Sequence, residues 1–109
     1  MPYRQATEKD FWIDDVDHPN YNKWVQDLEG AKSSELMRRK DDLYKFGIVV
    51  DYNVKPVVKA KGSAIFFHIW RDQDRPTAGC IALSEDNLLK IIKWLDPQKN
   101  PVALLVSEE

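Results

Sequence analysis

The chain has 109 residues, which allows one small domain and no more. Apolar residues make up 43% and charged residues 31%, a globular balance rather than that of a disordered chain. Sixteen basic and 18 acidic residues leave a formal charge of -2, which argues against a nucleic-acid binder held by phosphate contacts. No apolar stretch approaches the roughly 20 residues that span a bilayer, and no secretion signal is visible. The single cysteine, Cys80, excludes an internal disulfide and a cysteine-rich zinc site.

The opening, Met1 to Trp24, mixes aromatics with acids in no steady period and reads as irregular, with a short extended piece at Phe11 to Ile13. His18-Pro19-Asn20 is a turn signal. Ser33 or Ser34 is placed to cap a helix running through Glu35, Leu36 and Met37 towards Leu43, with Arg38 to Asp42 on its solvated side. Gly47 ends that segment, and Ile48 to Tyr52 is β-branched and aromatic, a strand. Lys55 to Gly62 is a connection. Ser63 to Trp70 is the strongest strand, with Ile65, Phe67 and Ile69 on one face and Ala64, Phe66, His68 and Trp70 on the other.

A polar loop, Arg71 to Gly79, leads to a further β segment, Cys80 to Leu83. Ser84 is a good N-cap, Glu85 and Asp86 suit the first helical turn, and Leu88, Ile91, Ile92 and Leu95 repeat at helical spacing. Pro97 disfavours helical geometry at Asp96 and stops the helix. Val102 to Val106 reads as a final strand. The fold class expected is β-dominated α+β, with one short helix before the central strands and one after them.

His68 and Cys80 carry whatever chemistry the chain has. If their segments pair as a hairpin, Trp70 falls nearly opposite Cys80 and His68 lies diagonally across, within reach of an imidazole and a thiol leaning together. An adjacent imidazolium would lower the thiol from about 8.5 to roughly 6, for a modest net gain in reactivity. Protonation of a leaving amine by His68 would supply more, typically about 10²–10⁴ in rate. Gly79 lets main-chain N–H groups approach a developing oxyanion. A buried structural cysteine and a structural histidine are the alternatives. Zinc on His18, His68 and Cys80 matches no familiar ligand spacing, so neither metal nor cofactor is expected.

Gly47-Ile48-Val49-Val50-Asp51-Tyr52-Asn53, then Lys61 to His68, then Thr77-Ala78-Gly79-Cys80, resembles the L,D-transpeptidase catalytic domain of the YkuD type. The likeness is good from Tyr44 to Val106 and less specific over Tyr3 to Trp24. It implies a cysteine acyltransferase that cross-links peptidoglycan stem peptides in the cell envelope. Cys80 would be the nucleophile, and His68 the base and then acid, oriented by a backbone carbonyl. Gly79 and Cys80 would shape the oxyanion site, and Thr77 takes the usual serine position. Trp70 and Arg71, beside the site, are candidate substrate contacts.

The family's second histidine is here Ala78, and its frequent arginine two residues after the cysteine is Ala82. The family's first strands and an export signal are not recognisable, so residues 1–109 read as a single domain, N-terminally truncated, whose open sheet edges favour self-association. An inactive interaction module with a buried cysteine, and a thiol hydrolase of cell-wall peptides, are the competing functions.

Overall fold

A computed structural model describes residues 3–75, 77 and 79–106. Two small sheets and one helix make a β-dominated α+β domain. The first sheet has β1 (Phe11–Ile13) at its centre, flanked by β2 (Trp24–Val25) and β3 (Ser34–Leu36), both antiparallel to it. The second has β5 (Phe66–Ile69) at its centre, between β4 (Gly47–Val49) and β6 (Ile81–Leu83). β4 runs antiparallel to β5 and β6 runs parallel to it.

Alternation along β5 buries Phe66 and His68 and leaves Phe67 and Ile69 half-buried for the other face. The Phe66 ring meets Trp12 of β1 edge-on at 5.2 Å, and Trp12, Met37 and Phe66 form the core between the sheets. Helix α1 (Glu85–Trp94) packs against β5 with Leu88 fully buried. Its ends are those the sequence predicts. Ser84 accepts a hydrogen bond from the Asn87 N–H, Glu85 and Asp86 fill the first turn, and the helix closes at Leu95 before Pro97.

Three expectations are corrected. No helix follows Ser33 or Ser34: residues 34–36 are β3, because the edge of β1 needs partners for its main-chain groups. Pairing Ile13 with Ser34 and Trp12 with Glu35 satisfies them, and Met37 N–H then bonds the Asp10 carbonyl while its side chain enters the core. Tertiary pairing thus overrides a helix propensity worth only tenths of a kcal/mol per residue, about 0–0.7. Val102 to Val106 is not a strand; it is unpaired, with Val102 93% and Leu104 85% exposed. The third correction concerns β6, which pairs parallel to β5 and not in the hairpin that would set Trp70 opposite Cys80.

One side chain ties the sheets together. Asn22 is buried at positive φ (59°), a conformation asparagine tolerates better than most residues. Its Oδ1 accepts from Trp12 Nε1 (2.8 Å) and from the Ala64 N–H (3.1 Å). Its Nδ2 donates to the carbonyls of Tyr52 (3.0 Å) and Asn53 (2.7 Å). All four polar valences of the amide are used. The nearby connection is tight: at Gly62, with φ of 109°, a Cβ would lie 2.9 Å from the Tyr52 ring.

Asp10 performs a similar service at the first sheet's rim. It is 1% exposed and accepts from Trp24 Nε1, Thr7 N–H and Oγ1, and Gln26 Nε2. The Trp24 bond, followed by the Thr7 N–H, holds its carboxyl well below the usual range.

Asn22→Asp keeps the shape but sets a carboxylate oxygen against two carbonyls. We expect a loss of about 2–4 kcal/mol in urea unfolding, and a change under about 1 kcal/mol would contradict the linking role. Asp10 has a folded pKa below its unfolded value near 3.9, so its stabilisation is complete above that pH. It is lost progressively as pH falls from about 4 towards the folded value. Asp10→Asn should flatten the acid limb of a stability-versus-pH curve between pH 4 and 2.

Candidate active site

The parallel register sets Phe67 beside Ile81 and His68 beside Ala82. Cys80, one residue before β6, therefore lies alongside Phe66, on the face of the sheet that carries His68. The two side chains are diagonal neighbours on adjacent strands, roughly 8 Å apart between backbones. The diagonal relation predicted from a hairpin is recovered, although the strand direction is reversed.

Trp70 fares differently. In a parallel pair it stands four residues beyond Phe66, about 13 Å along the strand from Cys80. It is not opposite the thiol, and Arg71 instead lies 3.9 Å from the Asp41 carboxylate. The reason is geometric: β6 runs parallel to β5, so the residue before β6 lies level with the start of β5 while Trp70 follows its end.

His68 is 8% exposed, and its Nδ1 lies 2.8 Å from the Ile69 carbonyl. A carbonyl only accepts, so Nδ1 is the donor in this bond, and in the neutral imidazole Nε2 is the nitrogen with the lone pair. The ring rests against Tyr44 at 5.2 Å, and Tyr44 also meets Phe66 edge-on at 5.9 Å. Burial, then the Glu35 charge, pushes the Tyr44 hydroxyl up to about 12. The Arg39 guanidinium covers the outer face of Tyr44 at 5.2 Å.

Cys80 is half-buried and packs on the same core cluster. Its thiol donates to the Ala64 carbonyl at 3.2 Å. Burial pushes the thiol pKa up; the Phe66 N–H lowers it in part, and the Glu35 carboxylate raises it further. This corrects the expectation of a thiol lowered to roughly 6 by an imidazolium, since the resting cysteine sits in a half-apolar site. Ala64 itself has φ of 55°, unusual for a residue with a Cβ. Asn22 holds its N–H and Cys80 its carbonyl, so the core hub reaches the thiol through one strained residue.

Gly79 has φ of 144°, which side chains rarely adopt, and its N–H lies 3.3 Å from Thr77 Oγ1. Thr77 Oγ1 in turn donates to the Cys80 carbonyl. These bonds tie Thr77 and Gly79 to Cys80, the residue that leads into β6. Ala78 lies outside the described residues. His18 is occupied elsewhere, with Nδ1 accepting from the Asn20 N–H and Nε2 facing the Glu29 carbonyl at 3.1 Å. Sequence reasoning missed Tyr44, Glu35 and Arg39 as neighbours of the site. Glu35 and Arg39 were hidden by the helical reading of residues 35–43, and no local pattern marks a tyrosine that stacks across strands.

Iodoacetamide should alkylate Cys80 with an apparent pKa above that of the same chain in urea. A native profile shifted to lower pH than the urea profile would contradict the half-buried thiol geometry.

No curated protein and no solved structure matches the chain. The model of the YkuD L,D-transpeptidase catalytic domain matches residues 2–104, which takes in both sheets and the helix. Enzymes of that family generally act in the cell envelope on peptidoglycan. Over nearly its whole length, then, this chain belongs to the YkuD family of L,D-transpeptidase catalytic domains.

Proposed function

We propose that the chain is a cysteine acyltransferase that cross-links peptidoglycan stem peptides, with Cys80 as nucleophile and His68 as base and then acid. The observation that carries the reading is the strand register, which sets His68 and Cys80 on one face of adjacent strands, with His68 Nδ1 engaged by the Ile69 carbonyl so that Nε2 is the nitrogen available as base. A half-buried, protonated thiol calls for a base acting during attack rather than a standing ion pair. As sulfur bonds to the donor's carbonyl carbon, Nε2 takes the thiol proton, and the Cys80 donation to Ala64 is given up. The C–N bond then breaks and Nε2 hands the proton to the leaving amine. An acceptor amine attacks the thioester, its proton passes to Nε2, and the C–S bond breaks to regenerate the thiol.

The oxyanion is assigned to the main-chain N–H groups of Gly79 and Cys80. The Gly79 bond to Thr77 is long at 3.3 Å, and a developing negative charge competes well for that donor. Thr77 holds Cys80 through its carbonyl. Glycine is needed at 79 for its positive φ. Work in the cell envelope follows from the same reading.

A second reading has one observation in its favour. The raised thiol pKa and the Cys80–Ala64 bond also suit a structural cysteine in an inactive module. A carbapenem-type acyl donor separates the two. It should add mass to Cys80 in the native protein, the adduct should vanish in Cys80→Ser, and it should form at least about 10²-fold more slowly in His68→Ala. A folded wild-type chain that gains no mass would favour the inactive module. Release of the acyl group to water alone, with an acceptor amine present, would make it a hydrolase.

A further inference from the structure

The His68 imidazole turns about its two side-chain bonds, and the second of these has a broad torsional preference. The hydrogen bond that restrains the ring, Nδ1 to the Ile69 carbonyl at 2.8 Å, goes to the next residue along the same strand. A single local contact fixes one edge of the ring and leaves its plane able to rock. The proton must stay on Nδ1 if Nε2 is to serve as base, and an imidazole that loses its acceptor exchanges between its two tautomers. A second restraint is needed, from a group packed against the ring.

Tyr44 supplies it. Its ring centroid lies 5.2 Å from that of His68, with the planes tilted at 54°. The tyrosine is itself held on several sides. At the main chain, the Leu43 carbonyl accepts from the Ile69 N–H at 2.9 Å, which sets Tyr44 beside the end of β5. Phe66 meets the Tyr44 ring edge-on at 5.9 Å. The Arg39 guanidinium lies 5.2 Å from the ring centroid, and its bonds to Asp41, at 2.9 and 2.8 Å, keep it there. Ile69 therefore serves both partners: its N–H places the tyrosine segment, and its carbonyl accepts from His68. Burial, then the Glu35 charge, pushes the Tyr44 hydroxyl up to about 12, so it stays protonated and offers no base of its own. What Tyr44 brings to His68 is a rigid ring.

We infer that Tyr44 is a positioning residue for the acyl transfer: its ring holds the His68 imidazole in the orientation in which Nδ1 reaches the Ile69 carbonyl, and so keeps Nε2 the basic nitrogen. The kinetic consequence rests on the acyl-transfer reading; the restraint on the ring does not. Tyr44 acts through His68 alone, so its contribution to rate disappears when the imidazole is removed. It acts through its ring, so phenylalanine replaces it and an aliphatic side chain does not.

The test has two arms, both on the full chain. Long-range ¹H–¹⁵N NMR, at a pH where the imidazole is neutral, reads the His68 tautomer without any reaction. Wild type and Tyr44→Phe should show one tautomer with the proton on Nδ1, and Tyr44→Leu both tautomers in exchange. A single Nδ1–H tautomer in Tyr44→Leu, or both tautomers in the wild type, would overturn the inference. The second arm follows acylation of Cys80 by a carbapenem-type donor in a double-mutant cycle. Tyr44→Leu should slow it about tenfold, and Tyr44→Phe by less than about twofold. In a His68→Ala background, Tyr44→Leu should add less than about twofold, since no imidazole remains to be held. Losses of similar size in both backgrounds, or equal losses in Tyr44→Phe and Tyr44→Leu, would overturn it. Tyr44→Met, which fills the space without a ring, takes the place of Tyr44→Leu should that variant not fold. If the folded wild type takes up no acyl group, the acyl-transfer reading alone fails, and the tautomer still decides the role of Tyr44.

Discussion

The amide of Asn22 is the joint on which the two sheets turn. A 109-residue chain buries limited apolar surface, and here the fully buried apolar side chains are few. Orientation between the layers is therefore set by a polar device more than by bulk. Trp12 carries the first sheet to one lone pair, and the N–H of Ala64 carries the second sheet to the other. The two donors hold the loop that follows β4. In a half-satisfied state such a network would cost more than an apolar contact, so its completeness specifies a single arrangement.

That arrangement reaches the thiol. Ala64 is held in an unfavourable backbone conformation from both of its polar ends, by Asn22 and by Cys80. Strain of this kind, of order 1–3 kcal/mol, persists only where the surroundings over-determine it. The resting thiol is thereby parked against a carbonyl, and leaving that carbonyl is part of becoming a nucleophile. His68 is anchored in a different way, with Nδ1 donating to the Ile69 carbonyl.

What could be read from the sequence was what is written locally. Helix α1 was legible because Ser84, the acids after it and the spacing of Leu88, Ile91 and Leu95 are signals within one element. The alternation of Phe66 and His68 against Phe67 and Ile69 was legible for the same reason. β3 was not, because Ser34-Glu35-Leu36 carries good helix formers and becomes a strand only through β1. The direction of β6 was not, because a connection as short as Arg71 to Gly79 ordinarily joins antiparallel strands, and parallel neighbours usually take a dozen residues or more. The apolar run at Val102 to Val106 declared a preference for extended structure without naming a partner strand. Asn22 gave no signal, since its four partners lie 10 to 42 residues away in the chain.

The parallel course of β6 frees one length from the demands of the site. In a tight hairpin, loop length fixes register, and an added residue turns every side chain to the other face. Here the register of β6 is set by its ladder with β5 and by the Thr77 bond to the Cys80 carbonyl, while residues 71–75 lie exposed outside it. Doubling such a stretch costs only about 0.6 kcal/mol in closure entropy. A chain built this way can lengthen or trade the outer part of that loop, and so remodel what lies over the strand ends, while the sulfur stays beside Phe66.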